Sequence, residues 1–255
     1  MPKTPEALAN LSDASRVVFS NAAPDSFEIL LQGGVYVPVQ GVCTLREFLC
    51  EQMEVCGEYA KERIQTIFLN GSVVDDFDAT IIREDSRLAL SAAMPGLVGA
   101  TMRRGGYYAA MRQGITYHPR DLTLHQDSFL VELRLYNFIA RELAELFLTR
   151  GVWLRGSDFR EFLASRPDAF FTGVAASLDE RPLPADRLSA ADPANLKSLV
   201  FLRLEHPAPR RRDLSREESP VASASEDDGL PEPRPQRPGK EEEERHDHLR
   251  TSLRR

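Results

Sequence analysis

The sequence predicts an α+β protein followed by a charged tail. Three observations carry that expectation: short alternating apolar runs, amphipathic helical stripes between them, and no Phe, Trp or Tyr from residue 206 onward. At 255 residues, 42% hydrophobic and 28% charged, the chain can build one large domain or two small ones around a buried core.

Charge and targeting signals narrow the class. A net charge of −7 argues against general nucleic-acid binding, which needs a basic face. Of the 32 basic residues only Lys3, Lys61, Lys197 and Lys240 are lysines. The uniform arginine excess reads as codon bias rather than a phosphate fork. Residues 1–23 lack the apolar core of a signal peptide. The longest uncharged apolar run, residues 88–100, is broken by Ser91, Pro95, Gly96 and Gly99 and is too short for the ~18 residues a span requires. Cys43, Cys50 and Cys56 are too few and too odd for a disulfide scaffold. Their spacing matches no common zinc arrangement, so they read as small apolar side chains. A cytoplasmic protein without a membrane span is expected.

Residues 1–25 read as a flexible N-terminal segment. Phe27, Ile29 and Leu31 then alternate, which predicts a strand over 27–31. Gly33-Gly34 would turn it into a return strand bearing Val35, Val37 and Val39, with Pro38 marking an edge. Thr44-Leu45-Arg46-Glu47 forms a capping box. Leu45, Phe48, Leu49, Met53 and Cys56 predict the apolar stripe of the helix it opens. A strand over 64–69 ends at Asn70-Gly71, the strongest hairpin signal in the chain, with Val73 and Val74 on the return. Residues 87–93 supply a further strand.

The order is hairpin, helix, strand, turn, strand. With the run Phe68-Leu69-Asn70-Gly71-Ser72-Val73-Val74 and the apolar strand after it, residues 26–106 resemble the ubiquitin-like β-grasp superfamily, particularly its sulfur-carrier and TGS-like branch. The resemblance covers the first part of the chain and implies a carrier, an adaptor or a regulatory module, because the fold hosts all three.

Residues 107–205 predict a smaller α/β segment packed on or following that domain. Phe129, Val131, Leu133 and Leu135 alternate as a strand, and Phe138, Ile139, Leu143, Leu146 and Phe147 form a helical stripe stopped at Arg150-Gly151. Ser157 is the expected cap of a short helix bearing Phe159, Phe162 and Leu163, and Trp153 reads as core. Residues 198–204 close with a strand. No repeat of fixed period is visible. Residues 206–255 hold seven of the 17 prolines, 11 basic and 12 acidic residues, a composition that predicts disorder.

The densest candidate site is the segment containing Gly96, Gly99, Arg103, Arg104, Gly105 and Gly106. Sulfur carriers of the resembled branch end in Gly-Gly just after the last strand, so cleavage after Gly106 would expose a carboxylate for activation. Backbone approach at the glycines beside two arginines would alternatively hold an anion or nucleotide in an enzyme, although neither phosphate-loop nor dinucleotide spacing is present. Asp75, Asp76 and Asp78 read as a solvated loop rather than a cation site. His118 and His125, flanking Asp121, have no nucleophile in a recognisable elbow. Tyr107-Tyr108 beside Arg103, Arg104 and Arg112 would suit base stacking, but the acidic body favours ordinary packing. No catalytic residue, metal ligand or cofactor emerges. The expected function is a non-catalytic adaptor that binds a protein partner.

Overall fold

The computed structural model describes residues 11–118, 128–190 and 196–205. The chain divides after Arg210, and the predicted tail lies outside the described residues. In chain order the body contains β1 (Ser15–Ser20), a 3-10 turn (Pro24–Phe27), α1 (Glu28–Gly33), β2 (Val35–Gln40) and β3 (Cys43–Thr44). A π-helical turn (Glu47–Gln52), α2 (Gly57–Glu62), β4 (Thr66–Leu69), β5 (Ser72–Val73), β6 (Ile81–Ile82), β7 (Arg87–Ser91), α3 (Gly96–Met102) and a 3-10 helix (Tyr107–Ile115) follow. The remainder is β8 (Ser128–Tyr136), α4 (Asn137–Arg150), β9 (Val152–Arg155), α5 (Gly156–Ala164), α6 (Asp168–Phe171), β10 (Ala175–Leu178), β11 (Arg181–Pro184), α7 (Ala185–Ala190) and β12 (Leu199–Glu205).

Ten strands form one mixed sheet in the order β11-β10-β1-β12-β9-β2-β8-β7-β4-β5, while β3 and β6 pair separately. The predicted α+β class is therefore observed. Part of the N-terminal segment expected to be flexible is β1, which lies between β12 and β10. Residues 26–106 and 107–205 share the sheet, because β2 and β7 both pair with β8.

The expected strand over 27–31 is helical. Its buried residues are Phe27, Leu30 and Leu31, at helical spacing, while Ile29 is exposed. Pro24 and Asp25 open that helical stretch and Gly34, at φ 116°, ends it. Five residues of FEILL satisfy either period, and the start signal upstream decides between them. The antiparallel partner predicted for β2 upstream is instead β8, from downstream.

Read outward from the centre, the sheet contains the same arrangement twice. One half is β2-β8-β7-β4-β5 and the other is β9-β12-β1-β10-β11. In each, successive pairings are antiparallel, parallel, antiparallel and antiparallel. The halves meet in the antiparallel pair Tyr36–Trp153. Each innermost strand leads into two short helical pieces and then a hairpin with a two-residue turn. Those turns are Asn70-Gly71 and Asp179-Glu180, all four residues with positive φ. Such turns match strand twist. No periodic sequence signal betrays the duplication, because β1 completes the second half from the opposite end of the chain.

Glu180 at φ 67° is the costly member, since a left-handed L-residue is strained by roughly 1–2 kcal/mol. Glu180→Gly is expected to stabilise the protein by about 0.5 kcal/mol, after the entropy cost of glycine. An increased urea midpoint checks this, and a decreased one would show that Glu180 makes a compensating contact.

Helices α1, α4 and α5 pack on one sheet face, over Val35, Val37, Leu133, Leu135, Val200 and Leu202. The opposite face has a smaller cluster of Ala14, Tyr36, Leu130, Trp153 and Leu199, with Phe201 packed against it. Trp153 is core as expected, though on a strand between helices. The capping box forms as predicted: the Thr44 amide donates to Glu47 Oε2 at 2.7 Å and the Glu47 amide to Thr44 Oγ1 at 3.2 Å. The helix it opens is a wide turn closed by Met53 N to Phe48 O, so the predicted stripe breaks before Cys56. At α5 the expected Ser157 cap is absent. The N-cap is Arg155, and the Ser157 hydroxyl instead bonds Asp158.

Candidate functional site

The segment from Gly96 to Ile115 lies beyond β7, and its attachment begins at Asp75. After the β4–β5 hairpin the chain presents Asp75 to Arg112, whose Nη2 lies 2.7 Å from Asp75 Oδ1 and whose Nη1 lies 3.1 Å from Oδ2. The Arg112 side chain is 2% exposed and that of Asp75 35% exposed. Arg112 Nε also donates to Thr101 O at 2.6 Å, and Nη1 to Thr116 Oγ1 at 3.0 Å. One guanidinium thus ties together β5's exit, the end of α3 and the end of the 3-10 helix. Forked donors suit arginine to this position.

Asp75 also accepts the Gly105 amide at 3.0 Å. Burial pushes its carboxyl up, but the Arg112 and Gly105 hydrogen bonds and the Arg112 and Arg104 charges outweigh this. The group ends below its ordinary value. Beside it, Arg104 lies over the Phe77 ring at 4.5 Å and donates to Lys61 O at 2.6 Å. Burial lowers the affinity of Arg104 for its proton, and the Asp75 charge counters part of that. Tyr117 N bonds Val73 O at 2.7 Å, and Thr116 bridges Val73 in parallel, so the segment also covers the edge strand β5.

The six candidate residues therefore have separate roles. Gly96 starts α3 at φ 77°. Gly99 is a close approach: a Cβ there would sit 2.1 Å from Met94 O. Gly105, at φ 60°, makes the turn that delivers its amide to Asp75, and Gly106 N bonds Arg103 O. Arg104 is engaged with Phe77 and Lys61, whereas Arg103 is exposed. The two arginines are not a matched pair of anion-binding arms.

The acidic loop, expected to be solvated, gives each carboxylate a specific partner. Asp76 Oδ1 accepts the amides of Asp78 and Ala79, and Asp78 pairs with Arg46. Among the described residues no three His, Cys, Asp or Glu side chains are grouped to hold a metal ion. Cys43 is buried, and burial pushes its thiol up to about 11, while Cys56 is exposed. His118 is exposed; His125 and Asp121 lie outside the described residues.

What the sequence reading missed is the outer surface of this segment. Tyr107 does not pack as expected: it is 92% exposed and contacts Tyr108 edge-on, ring centroids 5.1 Å apart. Leu97 is 63%, Val98 69% and Met111 70% exposed, and Tyr108 and Ile115 are also exposed. Nine large apolar side chains are exposed among the described residues, and these six fall within 19 positions. Single exposed apolar residues are ordinary, whereas a cluster indicates an interaction surface. The sequence signal is a set of apolar residues with no helical partner stripe.

A surface groove elsewhere, near the sheet centre, is lined by Pro38, Gln40, Gln52, Arg150, Trp153 and Phe201. Its polar groups satisfy one another: Gln52 bonds both backbone groups of Gln40, and Arg150 bonds Gln52 O and Glu54. Among the described residues no helix is long and apolar enough to cross a membrane.

No protein-family model matches the chain, and no curated protein or solved structure matches it either. The class defined by fold and site is a two-layer α+β protein that presents a braced, outward-facing apolar segment.

Proposed function

We propose that the protein is a non-catalytic adaptor, built on two β-grasp-like halves, that docks a partner through residues 96–115. The observation carrying this reading is the cluster of six exposed apolar side chains on a segment braced by the ion pair of buried Arg112 with half-buried Asp75. A braced surface loses little conformational entropy when it binds, which is what a docking element requires.

The sheet supports the ubiquitin-like resemblance in an altered form. β2, the helical pieces after it, β4, β5 and β7 follow the expected order, with β8 in place of the missing first strand. The second half has the same pairing pattern. Partner binding by strand addition is disfavoured at both edges. β5 is covered by Thr116 and Tyr117, and β11 carries Pro182 and Pro184, which lack amide donors. The docking surface is then the segment rather than an edge.

The carrier reading asks for a free, extended Gly-Gly terminus. Here Gly105 is tied to Asp75 and the chain continues into the 3-10 helix, an anchoring that favours docking. An anion-binding enzyme loop is disfavoured by the engagement of Arg104.

The test is site-specific photocrosslinking in the native host, with p-benzoylphenylalanine replacing Tyr107 and, as a control, the exposed Ile29. The docking reading expects an adduct from position 107, to a protein or to a lipid, and none from position 29. If position 107 gives no adduct beyond the control, the reading is wrong.

A further inference from the structure

We propose that the partner of residues 96–115 is an anionic lipid surface, on which the protein lies peripherally. This inference rests on the docking reading above and names the partner of that same surface.

The first argument is charge. No Asp or Glu occurs from Ser86 to Arg120, a 35-residue stretch containing Arg87, Arg103, Arg104, Arg112 and Arg120, in a chain whose net charge is −7. Within the described part of that stretch, Arg103 is exposed beside the apolar side chains. Exposed Lys61 lies nearby, whereas Arg46, Arg87 and Arg112 are in ion pairs with Asp78, Glu132 and Asp75. The segment thus carries an exposed Arg103 and no carboxylate on an acidic molecule, and the rest of the protein would be repelled from an anionic membrane. That combination fixes orientation as well as attraction.

The second argument is shape. The apolar side chains project outward, with Tyr107 almost fully exposed. An amphipathic partner helix lays its apolar face into a groove rather than onto projecting tips. Projecting Leu97, Val98, Tyr107 and Met111 instead suit a deformable partner such as the headgroup layer, where aliphatic tips enter and tyrosines and arginines sit at the polar level. A second copy of the chain is disfavoured, because a two-fold contact would place Arg103 surfaces together without a carboxylate between them.

The third argument is length. The segment is too short to span a bilayer, but its seven-residue helix and nine-residue 3-10 helix can lie in the interface.

Flotation of the full chain with lipid vesicles tests the proposal. Vesicles of phosphatidylcholine with about one-third phosphatidylglycerol are expected to carry the protein at low salt, pure phosphatidylcholine vesicles far less. Raising the salt to roughly 0.5 M should release most of it, as the Debye length falls. The double variant Leu97→Ser/Met111→Ser should lower partitioning at least about tenfold, because two buried side chains are lost. Ile29→Ser should leave it unchanged. Circular dichroism and thermal melts confirm that the variants fold.

Failure to float with anionic vesicles at low salt would overturn the lipid assignment, as would flotation unaffected by Leu97→Ser/Met111→Ser. A position-107 crosslink to a protein, without vesicle binding, would overturn the lipid partner while leaving the docking reading intact. Absence of any adduct at position 107 would remove the docking reading itself.

Discussion

Replacing Arg112 with alanine is expected to lower stability by about 2–4 kcal/mol and to free residues 96–117 from the sheet edge. The cost follows from what is left behind. Asp75 keeps its charge but loses both guanidinium contacts, and the Thr101 carbonyl and Thr116 hydroxyl lose a donor. Asp75 is partly open to water, which holds the penalty below that of a fully buried orphan. Hydrogen exchange gives the spatial readout, with the Gly105 and Tyr117 amides losing protection before the core strands. Arg112→Lys should recover little, since one ammonium cannot serve three separated acceptors. Protection of those amides equal to wild type in Arg112→Ala would mean the brace lies elsewhere.

The same brace has a pH signature. The Asp75 carboxyl is depressed below its ordinary value of 3.8, so its stabilising contribution is complete above that value. It is lost as the pH falls from there through the lower folded value. The docking segment should therefore loosen in acid and be unaffected by pH changes near neutrality.

How much of this was legible in the sequence depended on how local each determinant is. The capping box at Thr44 and Glu47, the Asn70-Gly71 turn, the strand over 129–135 and the helix before Gly151 are each specified within a few residues, and all four form. Partner choice is a different kind of information. Nothing near β2 states that its neighbours are β8 and β9, 88 or more residues away, and nothing near Ser15 states that a strand waits beside β12. The site divides in the same way. Gly99 and Gly105 could be singled out from type alone, whereas the Asp75–Arg112 pair spans 37 positions and leaves no periodic trace. The exposure of Tyr107 was equally hidden, because an apolar residue in a chain does not reveal whether another element will cover it.

The helix at residues 28–33 shows how a period error can be tested by stability. Phe27 sits among three aromatic rings, with centroids 5.4 Å from Phe19, 5.3 Å from Phe162 and 5.5 Å from Phe170. Phe27→Ala is expected to cost about 3–5 kcal/mol, from lost transfer energy and a cavity that three neighbouring rings cannot readily fill. Leu31→Ala, also fully buried, should cost about 2–5 kcal/mol. Ile29 is the discriminating position. On a strand it would share the buried face of Phe27 and Leu31, and its truncation would cost a comparable amount. On the observed helix it points outward, 55% exposed, so Ile29→Ala should change stability by no more than about 0.5 kcal/mol. Urea denaturation of the three variants separates the geometries, because only a helix makes the middle substitution nearly silent between two severe ones. A large loss at Ile29 would return this stretch to the sheet, and with it the hairpin that would let residues 26–106 close without β8.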